Sequence, residues 1–485
     1  MHKMVNISEF LGYDKSMIIA PAGYGKTHTI IDCLIENQGH GRILILTHTH
    51  AGIASIREKI KSHNISPLCY HVDTICSLAS KISQIYHIGK TDFPQIERAN
   101  DYFNFVIMTA IKILQARPIQ EVIKSKYSHV IIDEYQDCSE QQHLLILKLS
   151  AILKTHILGD PLQGIFEFRH TRLVDMENDP SMEEFKNNKQ ELATPWRWNN
   201  AYALQLGIDL ASIRNKLIAG QDIDLRQYGS ITLVNAQERD YMIPGSSYKN
   251  AIWHEINQQQ IQSLLLIHPV SENESPREEF IKQFPPLRMI ESIDNKKFYD
   301  YCNLFDSKTG RNLIGEIVKF SQKFFTKTVV DAWFRPDYTL KNKRGVDAQK
   351  VIQKLQSLID SLESNKDYSL IADLIEHIKV LPNNKCNRSD FMRDILSALR
   401  NAHSNKISAY EAMKRNRDII RREGRNIIGK CIGTTLLTKG LEFDSVIVLN
   451  AHRFNNPKHL YVALTRACKR LTIISENPIL HPYSN

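Results

Sequence analysis

Three short runs, far apart in the chain, carry groups suited to handling a phosphoanhydride bond. The first is Ala20-Pro21-Ala22-Gly23-Tyr24-Gly25-Lys26-Thr27, a glycine-rich turn after an apolar stretch. Gly23 and Gly25 let the backbone curl until its N–H groups converge on an anion, and a helix opening near Lys26 adds its positive end. Lys26 can reach the outer phosphates of a nucleoside triphosphate, and the Thr27 hydroxyl can ligate Mg²⁺. Ala20 stands where the general pattern has glycine, so that pattern is met only in part. In the second run Val130-Ile131-Ile132 ends in Asp133-Glu134. One carboxylate can hold a metal ion while the other accepts a proton from attacking water. The third run, Leu460–Ala467, contains Arg466, a cation able to neutralise charge that builds during phosphoryl transfer. Such separation implies two lobes closing on one nucleotide.

Those groups need elements to position them. Ser16–Ala20 reads as a buried strand and Thr27–Asn37 as the helix that follows the turn. Arg42–Thr47, Ser128–Ile132 and Thr155–Leu158 are further apolar strands, with a helix near Ala51–Lys61. Strands alternating with helices, and polar residues at strand ends, predict an open and mostly parallel sheet. A sparser set recurs later: Ser230–Val234, Ser263–His268, Arg288–Ile290, Ser445–Leu449 and Leu471–Ile474. Between Ile290 and Ser445 the period is helical, clearest in Ala348–Glu363 and Ser389–Asn401, with a turn at Leu381-Pro382-Asn383-Asn384. The expected organisation is a first lobe at 1–77 and 128–190 with a small helical insertion at 78–127. A second lobe follows at 191–295 and 428–485, interrupted by a helical insertion at 296–427. Asp137, three residues before Glu140, reads as half of a helix capping box.

At 485 residues the chain exceeds one compact core. No apolar run approaches the ~18 residues that span a bilayer, and the first residues lack the apolar segment of a signal peptide. Eight cysteines without a CxxC pair indicate neither a zinc ribbon nor a disulfide framework. Apolar neighbours around Cys33, Cys76 and Cys431 make them reduced core thiols and point to the cytoplasm. A formal charge of +9 is consistent with a polyanionic partner.

Together these runs resemble a superfamily 1 helicase of the UvrD/Rep/PcrA type, over nearly the whole chain. Gly159-Asp160-Pro161-Leu162-Gln163-Gly164-Ile165-Phe166-Glu167-Phe168-Arg169 is similar to the family's GDxxQxIYxFR motif. Thr194-Pro195-Trp196-Arg197 sits where the family has an aromatic-Arg pair, and Lys439-Gly440-Leu441-Glu442-Phe443-Asp444 matches KGLEFD. The resemblance implies an α/β fold of two tandem RecA-like P-loop motor lobes, each with a helical insertion, and ATP with Mg²⁺ as cofactors. It implies that Ala22, Gly23, Tyr24, Gly25, Lys26, Thr27 and His28 hold the nucleotide, with Thr27 and Asp133 on the metal and Glu134 as general base. Gln163 would sense the γ-phosphate, and Arg197 and Arg466 would act as arginine fingers. Trp196 would stack on adenine beside Gly440, with Glu442 on a ribose hydroxyl. For DNA, Thr47, His48, Thr49 and Thr74 match backbone-contacting positions, and Phe166 and Phe168 match base-stacking ones. Phenylalanine at alternate positions also suits a strand core, and threonine a helix cap.

Several positions depart from the family. Asn6–Ser16 offers no adenine-reading glutamine, and Thr47-His48-Thr49-His50-Ala51 stands where the family has TFTNK. The His48/His50 pair has no nearby third ligand and reads as two exposed histidines. The DEYQD and YVALTRA wording is similar to the small helicase-like component of Gabija anti-phage systems, which works beside an OLD-type nuclease. The resemblance implies a 3′→5′ DNA helicase or translocase on single-stranded or tailed duplex DNA, in a repair or antiviral defence complex. The alternative is a DNA- or nucleotide-sensing regulatory ATPase that controls a partner nuclease without processive unwinding.

Overall fold

The computed structural model describes residues 5–86, 99–166, 172–270, 273–292, 295–423, 427 and 429–483. The first lobe is built on β1 (Lys15–Ile19), β2 (Ile43–Thr47), β3 (Tyr70–Thr74), β4 (His129–Ile132), β5 (Lys154–Gly159) and β6 (Lys189–Glu191). They form one parallel sheet in the order β3-β2-β4-β5-β1-β6. Ile43–Leu46 and Val130–Ile132 are buried without alternation because helices cover both faces. Edge strands β3 and β6 are polar and short, which is why no apolar run announces them.

The second lobe comprises β7 (Ile223–Asp224), β8 (Ile231–Asn235), β9 (Ser263–Ile267), β10 (Arg288–Met289), β11 (Gly429–Gly433), β12 (Phe443–Val448), β13 (Ala467–Ser475) and β14 (Ile479–Leu480). Six of these make a second parallel sheet, β10-β11-β9-β12-β13-β8, while β7 and β14 pair antiparallel beside it. The molecule is therefore two parallel α/β sheets in tandem, the architecture of paired RecA-like lobes. Strand β11, Gly-Lys-Cys-Ile-Gly, has glycine at both ends and escapes a reading based on apolar runs.

Helices Ile75–Tyr86, Ala99–Ile113 and Arg117–Lys126 pack into the core that lies on the first sheet. The helices from Lys296 to Glu423 behave differently. Phe298, Phe320, Phe324, Leu355, Ile375, Phe391, Leu399 and Met413 share one core to which neither sheet contributes. The turn at Leu381–Asn384 separates Tyr368–Lys379 from Ser389–Asn405, with Asn383 left-handed at φ 61°. No described helix is long and apolar enough to cross a membrane.

Arg388 ties this helical body to the second lobe. It is buried, donates from Nε to Glu291 Oε1 at 2.7 Å and from Nη1 to Glu278 Oε1 at 2.6 Å, and lies 4.7 Å from the Phe391 ring centre. Glu291 is itself buried, just past β10. Removing one partner of such a pair leaves the other charged and desolvated, at a cost of about 3–5 kcal/mol. Arg388→Ala is expected to lower the thermal midpoint, and Arg388→Ala combined with Glu291→Gln to recover part of the loss; differential scanning fluorimetry measures both.

Candidate nucleotide site at the lobe seam

Strands β4, β5 and β1 are neighbours, so their C-terminal ends deliver Asp133-Glu134, Asp160–Gln163 and the Gly23–Lys26 turn to one edge of the sheet. That edge is where parallel α/β sheets present ligand-binding groups. Gly23 and Gly25 have φ of 78° and 91°, a left-handed conformation that side chains resist, and helix Lys26–Glu36 starts at once behind them. Lys26 Nζ lies 2.6 Å from Glu134 Oε2 and 4.0 Å from Asp133 Oδ1. Burial pushes Asp133 up to about 7 against the pull of Lys26. Glu134 goes the other way: against burial, Lys26 and then Lys439 hold it down to about 2. Glu134 is also left-handed, at φ 55°.

The second lobe closes on this turn. Arg197 N donates to Gly23 O at 2.9 Å. A Cβ on Gly23 would stand 2.9 Å from Arg197 Cβ and 3.0 Å from the Trp198 ring, and one on Gly25 would stand 3.0 Å from Trp196 Cδ1. Ala22 N donates to the Tyr461 hydroxyl at 3.3 Å, and the Tyr24 ring meets Trp198 edge-on. Arg197 Nη2 binds Glu442 Oε1 at 2.7 Å and Nη1 binds the Thr465 carbonyl at 2.5 Å. Arg197 holds Glu442 below the usual carboxylate range against the opposing effect of burial. Arg466 is buried, with its guanidinium donating to the Val462 and Leu441 carbonyls and to the Thr465 hydroxyl. Burial and the adjacent Arg197 lower its pKa to about 10. Gly440 turns the chain at φ 82° before Glu442, while Trp196 stays half exposed beside the turn. His28 is exposed and meets His63 edge-on.

Asp137 does not cap a helix. Helix Glu140–Ser150 is capped by Ser139, with Gln142 closing the box, because the cap must immediately precede the first turn. Asp137 instead crosses the seam: Lys439 Nζ lies 2.5 and 2.6 Å from its carboxylate oxygens and 2.5 Å from the Gln163 carbonyl. Both side chains are buried. The same ammonium is 4.6 Å from the Phe166 ring centre. Phe168 lies outside the described residues.

Thr47 and Thr74 are paired at the ends of β2 and β3, and both are buried. Thr74 Oγ1 accepts from Ser77 N, and Thr49 caps helix His50–Ser62 by accepting from Gly52 N at 3.0 Å. His48 is not an exposed histidine. It is half-buried, with Nε2 3.5 Å from Cys138 Sγ, and burial lowers its pKa to about 4. Cys138 follows the acidic run, so the fold draws His48 inward across the β2–β4 strand ends. No cluster of three potential metal-ligating side chains from His, Cys, Asp and Glu occurs among the described residues.

Gln136, to which no motif gives a role, is central. Its Nε2 donates to Glu134 Oε2 at 2.5 Å and its Oε1 accepts from Asp160 N at 2.9 Å. Gln163 Nε2 in turn donates to Asp160 Oδ2 at 3.0 Å. A Cβ on Gly159 would meet Gln136 Oε1 at 2.8 Å, and one on Gly164 would meet the Gln136 carbonyl at 3.0 Å. The two glycines of Gly159-Asp160-Pro161-Leu162-Gln163-Gly164 form the notch that receives Gln136. Its position two residues beyond Glu134 is the signal in the sequence that could have marked it.

Comparison with known proteins bears on the same segments. A model of the UvrD/REP helicase N-terminal domain matches residues 90–181, and one of the viral superfamily 1 RNA helicase core domain matches residues 349–475. The first span carries Asp133, Glu134 and Gln163; the second carries Lys439, Glu442 and Arg466. Both matched models are of superfamily 1 helicases, and they support a helicase of that superfamily. Over 119 residues it is 32% identical to a subunit of the ATP-dependent helicase/nuclease of Streptococcus uberis, covering 24% of this chain and 10% of that protein. It is 33% identical over 69 residues to the corresponding protein of Oenococcus oeni, covering 14% of this chain and 6% of that one. The chain thus spans a tenth or less of the length of these curated relatives. Among solved structures, the Pif1 helicase from Candida albicans aligns with 99% of this chain and 96% of its own, at 12% identity and a TM-score of 0.41.

The Gln136 notch makes Gly159 a point of failure. Gly159→Ala is expected to cost only about 1–3 kcal/mol of stability, because the Gln136 side chain can yield. Its displacement would release Glu134 and Asp160 together, lowering nucleotide turnover by about 10- to 100-fold. A thermal melt beside a steady-state hydrolysis assay measures the two effects separately.

Proposed function

We propose that the chain is an ATP-dependent DNA translocase, moving 3′→5′ on single-stranded or tailed duplex DNA. The observation that carries the reading is the approach of Arg197 to Gly23 across the seam, opposite Lys26 and Glu134. A cation from one lobe set against the phosphate turn of the other makes hydrolysis sensitive to lobe closure, as a motor requires. In this reading Lys26 and the turn's N–H groups bind the phosphates. Glu134, held ionised beside Lys26, takes the proton of the attacking water, and Gln163 orients the γ-phosphate.

The Thr27 and Asp133 oxygens would form a donor set suited to Mg²⁺. Asp133 sits 4.0 Å from Lys26, at the strand end beside the glycine turn. A bound Mg²⁺ would supply charge neutralisation and orientation of the phosphates. Trp196 and Glu442 are proposed to receive the adenine and ribose, and Arg197 and Arg466 to answer the developing charge. Thr49 and Phe166 are proposed to line the DNA path. The two bacterial relatives are named as parts of a helicase/nuclease, which supports a nuclease working alongside this chain; a DNA-repair or anti-phage complex, such as a Gabija-type system, is the setting proposed for it.

Lys26→Ala is expected to abolish ATP turnover through loss of phosphate binding, and Glu134→Gln to abolish it with binding retained. Fluorescent ATP-analogue binding beside phosphate release tells them apart, and wild-type turnover in either variant would refute the reading. Displacement of a strand from a 3′-tailed duplex tests unwinding. DNA-stimulated hydrolysis without displacement would instead favour a sensor that controls a nuclease.

A further inference from the structure

Arg214 lies in none of the motif-like runs. It belongs to helix Leu204–Ile218, whose Leu206, Leu210, Ile213 and Leu217 pack into the second lobe. A charged residue following Ile213 on a buried stretch needs a partner, and both partners lie in the first lobe. Arg214 Nη2 is 3.2 Å from Asp160 Oδ1, and Nη1 is 3.2 Å from Glu191 Oε1. Asp160 is fully buried, and Arg214 is its one ion-pair partner among the described residues. The other oxygen of the same carboxylate accepts from Gln163, while the Asp160 amide donates to Gln136, which holds Glu134. A continuous chain of hydrogen bonds therefore runs from a second-lobe guanidinium to both nucleotide-facing groups of the first lobe.

We propose that Arg214 is a positioning residue through which the second lobe sets Gln163 and Glu134 for hydrolysis. It shares one carboxylate with Gln163. When the lobes part, Arg214 leaves with its helix, Asp160 loses its buried counter-charge, and the side chains anchored on Asp160 lose their reference point. When the lobes close, the carboxylate is neutralised and both anchors return. Arg214 touches no substrate atom in this scheme; it acts through Asp160. The proposal rests on the reading of Glu134 and Gln163 as hydrolytic groups.

The test compares wild type, Arg214→Met, Arg214→Lys and the double variant Arg214→Met/Asp160→Asn, with Lys26→Ala as a control. ATP hydrolysis is measured with and without a single-stranded oligonucleotide, together with binding of a fluorescent ATP analogue and a thermal melt. Arg214→Met is expected to lower the DNA-stimulated kcat at least about tenfold while KM and analogue binding stay within about twofold, since the phosphate turn is intact. Arg214→Lys should recover part of kcat. The double variant, with no unpaired buried charge, should melt near wild type and still lack DNA stimulation, which covers the case where Arg214→Met does not fold. Wild-type kcat in a folded Arg214 variant would overturn the proposal alone. A wild-type chain that hydrolyses no triphosphate, or a Lys26→Ala variant as active as wild type, would overturn the parent reading with it.

Discussion

The missing side chain of Gly23 is the space on which the rest of the seam is built. A Cβ there would stand 2.9 Å from Arg197 Cβ, closer than such atoms approach, so the second lobe reaches the Gly23–Lys26 turn only because that residue is glycine. The conformation reinforces the requirement, since φ of 78° is strained for any side chain. One constraint thus serves two ends: it lets backbone N–H groups converge on an anion, and it admits the guanidinium of the opposite lobe. The Arg197 N–H to Gly23 carbonyl bond then fixes the register of the contact.

Around that contact the charges are arranged in compensating pairs, most of them with little access to water and Glu442 half exposed. Lys26 faces Asp133 and Glu134, Lys439 faces Asp137, Arg214 faces Asp160, and Arg197 faces Glu442. The pairs of Lys439 and Arg214 cross from one lobe to the other, as does the hydrogen bond between Tyr461 and Ala22. Buried pairs of this kind add little net stability over apolar packing, but they are costly to break one partner at a time. Such contacts favour two discrete arrangements of the lobes over a continuum, which suits a device that closes on one ligand state and opens on another.

The helical body between Lys296 and Glu423 has a separate core and also meets the first lobe, where helix Ala409–Glu423 packs on helix His50–Ser62. Its polar connection to the second lobe runs through Arg388 and Lys297 on the carboxylates of Glu274, Glu278 and Glu291, and through Asp390 on Arg288. A polar joint between two independent cores can be re-formed in another orientation at smaller cost than an interdigitated apolar one.

Much of this was legible along the chain. Continuous apolar runs such as Val130–Ile132 and Leu264–Ile267 marked strands buried on both faces, and Gly23, Gly25 and Lys26 marked an anion-binding turn whatever lay around them. Those features are local: backbone conformation and strand burial follow from residue type and period. Edge strands β3 and β6 stayed hidden because their stability comes from pairing with a neighbour and not from an apolar pattern. His48 read as exposed because its partner, Cys138, is ninety residues away in sequence and adjacent only across the strand ends. Asp137 fitted a cap by spacing, yet its partner Lys439 lies on the other lobe. By itself the sequence determined the glycine turn, the acidic pair at a strand end and the two α/β lobes. Only the tertiary structure decided which buried charge meets which, because electrostatic partners are chosen by distance in space, and the seam brings together residues up to about four hundred and forty positions apart, as with Ala22 and Tyr461.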